Sequence, residues 1–338
     1  MNHSESPFSK LGLRALFLVW GTPGQGPRSR VMAQQLGIES CFVHVRLPRG
    51  AWFAPLKYVL QAARTLLLLF RRRPQVVFVQ SPPLFAVLCA CLYCLLLRAH
   101  YIVDAHSAAF AGPWWTLPPR WLKSWLARRA LTTIVTNDHL KQRVESLGGR
   151  ALIVRDVPLR LHVERDYPLD GAFNIALVNV FSPDEPLAEA LAAVADLAEV
   201  HLYVTGKSNG KHAQLIAKAP ANVRFTGFLP DDQYYGLLNS VHAVMCLTTR
   251  NHTMQRGACE ALSLGKPIIT SDWPVLREYF CKGTVHVPNT GAGVRAGVLK
   301  LRESYRQYQR EIRDLQFMQG SEWREKMESI MERVQQVV

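Results

Sequence analysis

The sequence predicts an α/β protein made of two doubly wound, Rossmann-like domains facing each other across a cleft. Three observations carry that reading. The chain has 338 residues, more than one core usually organises. Short β-rich runs alternate with helical segments from end to end, the rhythm of βαβ units and a parallel sheet. Near 156–171 the alternation stops and then restarts. With 49% apolar and 20% charged residues, a disordered chain, a collagen and a small disulfide scaffold are excluded.

In the first half the strand candidates are 13–20, 41–45, 76–80, 101–103, 133–135 and 151–154. The apolar stretch from Ala15 to Trp20 is only six residues long with no small-residue cleavage site after it, so it reads as a strand rather than a secretory signal. Leu84 to Leu97 is an unbroken run of fourteen apolar residues after Pro82-Pro83, closed by Arg98. A membrane span needs about 18 to 20, so the run predicts a fully buried helix or one dipping partly into a bilayer face. Residues 56–73 contain Lys57 and Arg64, then Leu66-Leu67-Leu68-Leu69-Phe70 and Arg71-Arg72-Arg73. That composition suits a lipid headgroup surface, and equally an ordinary helix whose basic last turn is favoured by the helix dipole.

Charge divides the same way. Residues 1–160 hold 21 Lys+Arg against 6 Asp+Glu, a surplus of 15, and the remainder holds 19 against 20. Such asymmetry points to a polyanionic surface beside the first half, either nucleic acid or anionic lipid. Of the seven cysteines, Cys89, Cys91 and Cys94 lie in the apolar run without the partners of a zinc site, as expected of buried thiols in a reducing compartment. A cytoplasmic protein, peripheral on the inner face of the membrane, is therefore expected.

After Asp156 comes a stretch rich in Pro, Asp and Arg, through Pro158 and Pro168 to Gly171, which reads as the interdomain linker. Strand candidates then resume at 173–178, 200–204, 223–225, 243–247, 267–270 and 284–287, with helices such as 186–197 and 231–240 between them. The last 40 residues are helical and charged and could return to brace the first domain. The resulting division is 1–160, 172–320 and a C-terminal helix 321–338.

The sharpest local signal is 248–272. A strand ending at Leu247 leads into a loop, Thr253 stands where it can cap a helix running to about Leu264, Gly265 ends it, and Lys266-Pro267 opens the next strand. A helix start at a strand's carboxyl edge offers amides and a positive dipole end to a diphosphate. Gly257 keeps the first turn slim, and Glu260, about two turns in, can accept hydrogen bonds from ribose hydroxyls.

On these residues the chain resembles the GT-B glycosyltransferases of the family 4, or group 1, type. Glu260-Ala261-Leu262-x-x-Gly265-Lys266-Pro267-Ile268-Ile269, with Ser271-Asp272 and Glu278 following, is similar to that family's Glu-Ala-x-x-x-Gly-x-Pro-Val-Val signature. Tyr203-Val204-Thr205-Gly206-Lys207 resembles its second strand and glycine loop, and Asn222 to Pro230 its "x-V-x-F-x-G" strand. In the first half, Gln80-Ser81-Pro82-Pro83 and Asp104-Ala105-His106 resemble acceptor-domain pieces.

The resemblance implies transfer of a sugar from a nucleotide diphosphate sugar, with the donor on the second domain and the acceptor on the first. It assigns Glu260 to the ribose and sets His252, eight residues earlier, where the pattern has its first glutamate; a histidine can bond sugar hydroxyls but supplies no fixed anion. The family's Arg/Lys pair is replaced by Asn179-Val180-Phe181-Ser182-Pro183-Asp184-Glu185-Pro186. Lys207, Lys211, Arg250 and Arg256 are then candidates to neutralise the diphosphate, Lys207 beside Gly206 and Arg256 foremost, with amides near Thr253 and Met254. By the same resemblance His106 lies near the transferred sugar with Asp104 fixing its tautomer, binding or stabilising charge rather than attacking. The glycine-punctuated loop after the first strand would bring Gly24, Gly26 and Arg28 to the donor.

No Asp-x-Asp pair occurs, so no metal-bridged diphosphate and no resident cofactor are expected; the nucleotide sugar is a substrate. Trp114-Trp115 could stack on a sugar or sit at a lipid interface, though a packed lid is the commoner fate of such a pair. The function expected is a metal-independent hexosyltransferase, acting on a lipid-linked or oligosaccharide acceptor in polysaccharide or glycolipid assembly at an anionic membrane surface. Two rivals stand beside it: a non-catalytic partner subunit, motivated by His252 and the missing Arg/Lys pair, and a nucleic-acid-binding protein, motivated by the basic half. Against the latter, the cations are interleaved with leucines rather than exposed aromatics.

Overall fold

Each of the β-rich runs forms a strand, and the strands sort into two parallel sheets. The computed structural model describes residues 7–22, 27–46, 53–110, 112–155, 159, 161, 163–208, 210, 212–251 and 253–337. Two units result, Met1–Val157 with Trp323–Val338, and Pro158–Glu322.

The first unit runs α1 (Pro7–Lys10), β1 (Ala15–Val19), α2 (Pro27–Leu36), β2 (Glu39–Phe42), α3 (Ala54–Arg72), β3 (Val76–Ser81) and α4 (Leu84–Leu97). It continues with β4 (His100–Ala105), α5 (Gly112–Thr116), α6 (Arg120–Arg129), β5 (Thr132–Val135), α7 (Asp138–Glu145) and β6 (Ala151–Ile153). The sheet order is β2-β1-β3-β4-β5-β6, all parallel. Successive residues of β1 and β3 alternate between two cores. Leu16, Leu18, Val77 and Val79 face α4, while Phe17, Val19 and Phe78 face α2 and the end of the last helix. A sheet covered on both sides requires the near-continuous apolar strands that the sequence shows.

The second unit runs β7 (Phe173–Leu177), α8 (Leu187–Val194), β8 (Val200–Thr205), α9 (Ala213–Ala217), β9 (Val223–Gly227), α10 (Asp231–Ser240) and β10 (Ala243–Cys246). Then come α11 (Arg256–Ser263), β11 (Ile268–Ser271), α12 (Pro274–Tyr279), β12 (Thr284–Val287) and α13 (Gly291–Glu303). Its sheet order is β12-β11-β10-β7-β8-β9, again parallel. The last helix, α14 (Tyr305–Gln335), belongs to both units. Ile312 and Leu315 are buried in the second, and Trp323, Ile330 and Val334 in the first, where Arg333 Nη1 donates to Thr132 Oγ1 at 3.0 Å.

Three local features have physical causes. The stretch taken as a linker is strapped to the second unit: the amides of Leu159, Tyr167 and Asp170 donate to Ser263 Oγ, Ser240 Oγ and Tyr203 Oη, because backbone donors beside a core must find acceptors. Helix α4 is not fully buried; Ala86, Ala90 and Cys91 face the core while Phe85, Leu92, Leu95 and Leu96 are exposed. Helix α3 is turned the same way. It buries Gln61 and Thr65, which bond Val43 O and Trp20 Nε1, and exposes Leu56, Val59, Leu60, Leu67 and Phe70. Among the described residues no helix is long and apolar enough to cross a membrane.

Gly206 ends β8 at φ +95°, and a Cβ there would collide with the Asn179 carbonyl oxygen. Gly210 has φ +83° but open space around it. Gly206→Ala is therefore expected to cost about 2 kcal/mol or more in urea unfolding, and Gly210→Ala, which meets only the backbone strain, about 1 kcal/mol. Equal costs would mean the close approach at Gly206 contributes nothing.

Candidate active site

Parallel strands deliver their following loops to one sheet edge. In the first unit β4 brings Asp104 there, followed by His106, and α2 begins beside them with Arg28 and Ser29. Asp104 is 0% exposed. Its Oδ2 accepts from Ser29 Oγ at 2.9 Å and lies 3.2 Å from His106 Nε2; its Oδ1 accepts from Arg28 Nε at 3.4 Å. Burial alone would raise this carboxyl, but the charges of His106 and Arg28 and the hydrogen bonds from His106 and Ser29 outweigh it and hold Asp104 well below the usual carboxylate range. The contact assigns the proton to Nε2 of the imidazole. Among the described residues Nδ1 has no hydrogen-bond partner, and the ring is half-buried. An imidazole oriented by a buried carboxylate, with Nδ1 left over, can bind a hydroxyl and, in its neutral form, accept that hydroxyl's proton.

Arg28 is drawn inward rather than left at a loop tip. Nη2 donates to Val154 O at 2.7 Å and Nη1 to Arg155 O at 3.2 Å, and its side chain is 12% exposed. Arg28 thus ties the Asp104 site to the end of β6. Gly24 and Gly26 of the same loop lie outside the described residues, as do His252 and Lys211.

In the second unit the loop after β10 is fixed from several sides. Thr248 N donates to Ser271 Oγ at 2.8 Å, Thr248 O accepts from Trp273 Nε1 and Asn289 Nδ2, and Thr248 Oγ1 donates to Asp184 Oδ2 at 3.0 Å. Arg250 pairs with Asp184 at 3.2 Å. Hydrogen bonds from Ser182 first, then Thr248 and the Arg250 charge, lower the Asp184 carboxyl against its desolvation. The helix begins later than the sequence suggested. Gln255, not Thr253, stands at the cap position of α11 and makes no side-chain cap bond. Thr253 and Met254 precede the helix in irregular backbone, with Met254 packed on the core. Gly257 is required because a Cβ would press on Val178 and Cys246.

Arg256 opens α11, and Glu260 follows one turn later rather than two. Glu260 is 6% exposed; Oε1 accepts from Arg256 Nε at 3.0 Å and Oε2 from Tyr234 Oη at 2.7 Å. Burial, then the neighbouring Glu260 charge, push the Tyr234 phenol well up, so it stays a donor. Lys207 is exposed and Gly206 half-buried. Where the resemblance has its Arg/Lys pair, Glu185 instead accepts from Val180 N and Ser182 N at 2.9 Å each. Ser29, Tyr234 and Glu185 were not singled out from sequence. Their only prior signal was position, beside the glycine loop, on a helix preceding β10, and in the segment lacking the cations.

Two family models match the chain, a glycosyl transferase 4-like domain over residues 8–159 and the glycosyl transferases group 1 over residues 184–302. Among solved structures, HepE of Anabaena in complex with UDP-glucose is similar at TM-score 0.63 and 14% identity, covering 95% of this chain and 100% of that one. A glycosyltransferase from Rickettsia africae gives 0.64 at 10%, covering 96% and 98%. Sucrose-phosphate synthase of Thermosynechococcus elongatus gives 0.59 at 12%, covering 96% and 94%. Likeness at such identities establishes a shared fold. No curated protein matches the sequence.

Because its folded value lies below the unfolded one, the Asp104 carboxylate contributes stability that is fully present above a pH of about 4 and is lost as pH falls through the folded value. Asp104→Asn, which leaves Arg28 and His106 without their buried partner, is expected to cost about 3–5 kcal/mol near pH 7. Urea unfolding from pH 7 down to pH 3 should show that deficit shrinking below pH of about 4. A deficit independent of pH would remove the charge from the account.

Proposed function

The chain belongs to the group 1 glycosyltransferases of GT-B fold, and on that premise we propose that it moves a hexose from a nucleotide diphosphate sugar to a lipid-linked saccharide. The donor is assigned to the second unit and the acceptor to the first. The observation that carries this is the start of α11: a helix without a side-chain cap, at the carboxyl edge of β10, with Arg256 in its first turn and a buried carboxylate one turn on.

The amides at the helix start, the dipole end and Arg256 suit the diphosphate. Each Glu260 oxygen accepts one internal bond and keeps a lone pair for a ribose hydroxyl. In the reaction the bond from the anomeric carbon to the diphosphate oxygen breaks, a bond to the acceptor oxygen forms, and the acceptor's proton must leave. His106 Nδ1, oriented through Asp104, is the group assigned to hold the sugar or that proton. Exposed Lys207 adds positive charge for the leaving diphosphate, a role that with the lack of an Asp-x-Asp pair favours chemistry without a metal. Anabaena HepE is solved with UDP-glucose, which supports a uridine donor as the first to test.

The membrane face of the proposal rests on α3 and α4. A helix that turns Gln61 and Thr65 inward and Leu56, Leu60 and Leu67 outward, in a half with a charge surplus of 15, is suited to an anionic bilayer surface.

Two measurements test this reading. Calorimetry with UDP and GDP should show one of them binding, and Glu260→Gln should weaken it about tenfold, as expected for a lost charge-assisted bond, with activity unaffected by EDTA. No nucleotide binding by the wild type would favour the non-catalytic scaffold instead. In flotation, the protein should rise with phosphatidylglycerol vesicles at low salt and less at high salt, and not with phosphatidylcholine. Retention on DNA without flotation would replace the membrane with nucleic acid.

A further inference from the structure

Beside β4 and β5 the first unit holds a small apolar chamber of about 70 Å³ with an open mouth. Val103, Ala105 and Thr133 line it from the sheet, Leu84 and Val87 from α4, and Trp115 from α5. Trp115 packs on Phe110 with ring centroids 5.4 Å apart, the packed lid that such a residue usually becomes. What sets it apart is the charge around it. Lys123 Nζ lies 4.3 Å from the Trp115 ring centre and Arg143 Cζ 4.4 Å. Lys123 Nζ also donates to Trp115 O at 2.7 Å, and Arg143 Nη1 to Phe110 O at 3.0 Å.

Among the described residues neither cation forms an ion pair, and no carboxylate lines the chamber. Burial, then Arg143 and Arg120, push the Lys123 ammonium below its ordinary value. Two cations held on one indole beside an apolar cavity repel each other, and an anion placed between them relieves that cost. The chamber also opens onto more apolar surface. Leu84 is shared with a furrow between α4 and the α5–α6 turn that runs past Phe85, Leu88 and Leu117. Phe85 and Leu88 in turn line a second furrow against Tyr58 and Val59 of α3. The catalytic edge is adjacent, since Ala105 precedes His106 and Ser81, also on the chamber wall, accepts the His106 amide.

We infer that this chamber and its furrow take the lipid part of the acceptor, a phosphate-bearing lipid whose apolar chain lies along α4 and whose phosphate rests against Lys123 and Arg143. The saccharide beyond the phosphate is thereby directed toward His106. The inference rests on the transferase reading above, and it adds the acceptor's chemical class and the residues that select it: a chain without phosphate lacks the charge contact, and a phosphate without a chain lacks the burial.

Calorimetry on the full chain tests it with farnesyl phosphate as probe, farnesol and inorganic phosphate as controls, and UDP as a parallel arm. Farnesyl phosphate should bind at least tenfold tighter than either control. Combined Lys123→Met and Arg143→Gln should weaken it at least tenfold while the UDP affinity and circular dichroism stay unchanged. Ala109 is also on the chamber wall, and Ala109→Leu, which fills the chamber and keeps both cations, should weaken it similarly, so that the inference does not depend on one variant folding. Binding no tighter than farnesol or inorganic phosphate, or variants that bind as the wild type does, would overturn it. UDP or GDP binding without farnesyl phosphate binding removes only the acceptor inference; absence of binding by farnesyl phosphate, UDP and GDP alike removes the transferase reading as well.

Discussion

A carboxylate that is wholly out of water, Asp104, is the constraint around which the first unit's functional edge is organised. It cannot remain ionised there without partners, and the partners it gathers come from separate strand ends. Arg28 and Ser29 start the helix after β1, His106 follows β4, and Arg28 carries the connection on to the carbonyls of Val154 and Arg155 after β6. Gln80 of β3 joins through Ser29, its Oε1 lying 3.1 Å from Ser29 Oγ. The imidazole's orientation is therefore a by-product of satisfying a buried charge, and the cost of that burial is offset by fixing four segments of chain at once.

The second unit solves the same problem with different residues. Asp184 and Glu185, in the segment where related sequences would bring cations, bind the loop's own amides and hydroxyls together with Thr248 and Arg250. A loop tied down by its own hydrogen bonds and one ion pair results. In the proposed donor site the positive charge for a diphosphate is assigned to Arg256 at the head of α11, which Glu260 holds in place across one helical turn. One carboxylate thus has two tasks, positioning a cation and offering lone pairs, which is why Tyr234 is needed to complete its shell.

Much of this was legible in the sequence, and the parts that were not share a cause. Strands of a sheet buried on both faces write themselves as apolar runs, so β3 and β10 could be located to within a residue or so. The start of α11 was misplaced by two residues because Thr253 is a good cap only if the chain turns there, and the fixed path of the loop through Thr248 and Ser271 delays the turn to Gln255. Composition gave the leucines of α3 but not their side. Gln61 and Thr65 point inward because Val43 O and Trp20 Nε1 await them, contacts made across 18 and 45 residues of chain. Ser29 and Asp104 are 75 apart. No local pattern encodes such pairs.

The division of charge acquires a structural meaning from the ion pairs. In the second unit Arg224, Arg250, Arg256, Arg277, Arg295 and Arg302 each meet an Asp or Glu, as a segment with 19 cations and 20 carboxylates allows. Residues 1–160 have only 6 carboxylates for 21 cations, and one of those carboxylates, Asp104, is consumed internally by Arg28 and His106. Within residues 1–160, therefore, most cations have no carboxylate of the same segment to pair with. Solvated arginines tolerate this at little cost. Lys123 and Arg143, pressed on an indole at the rim of an apolar cavity, are less well solvated, and the anion that suits them must bring an apolar body with it. Beside outward-facing leucines on α3 and α4, a lipid phosphate meets both requirements, which neither a free phosphate nor a nucleic acid does.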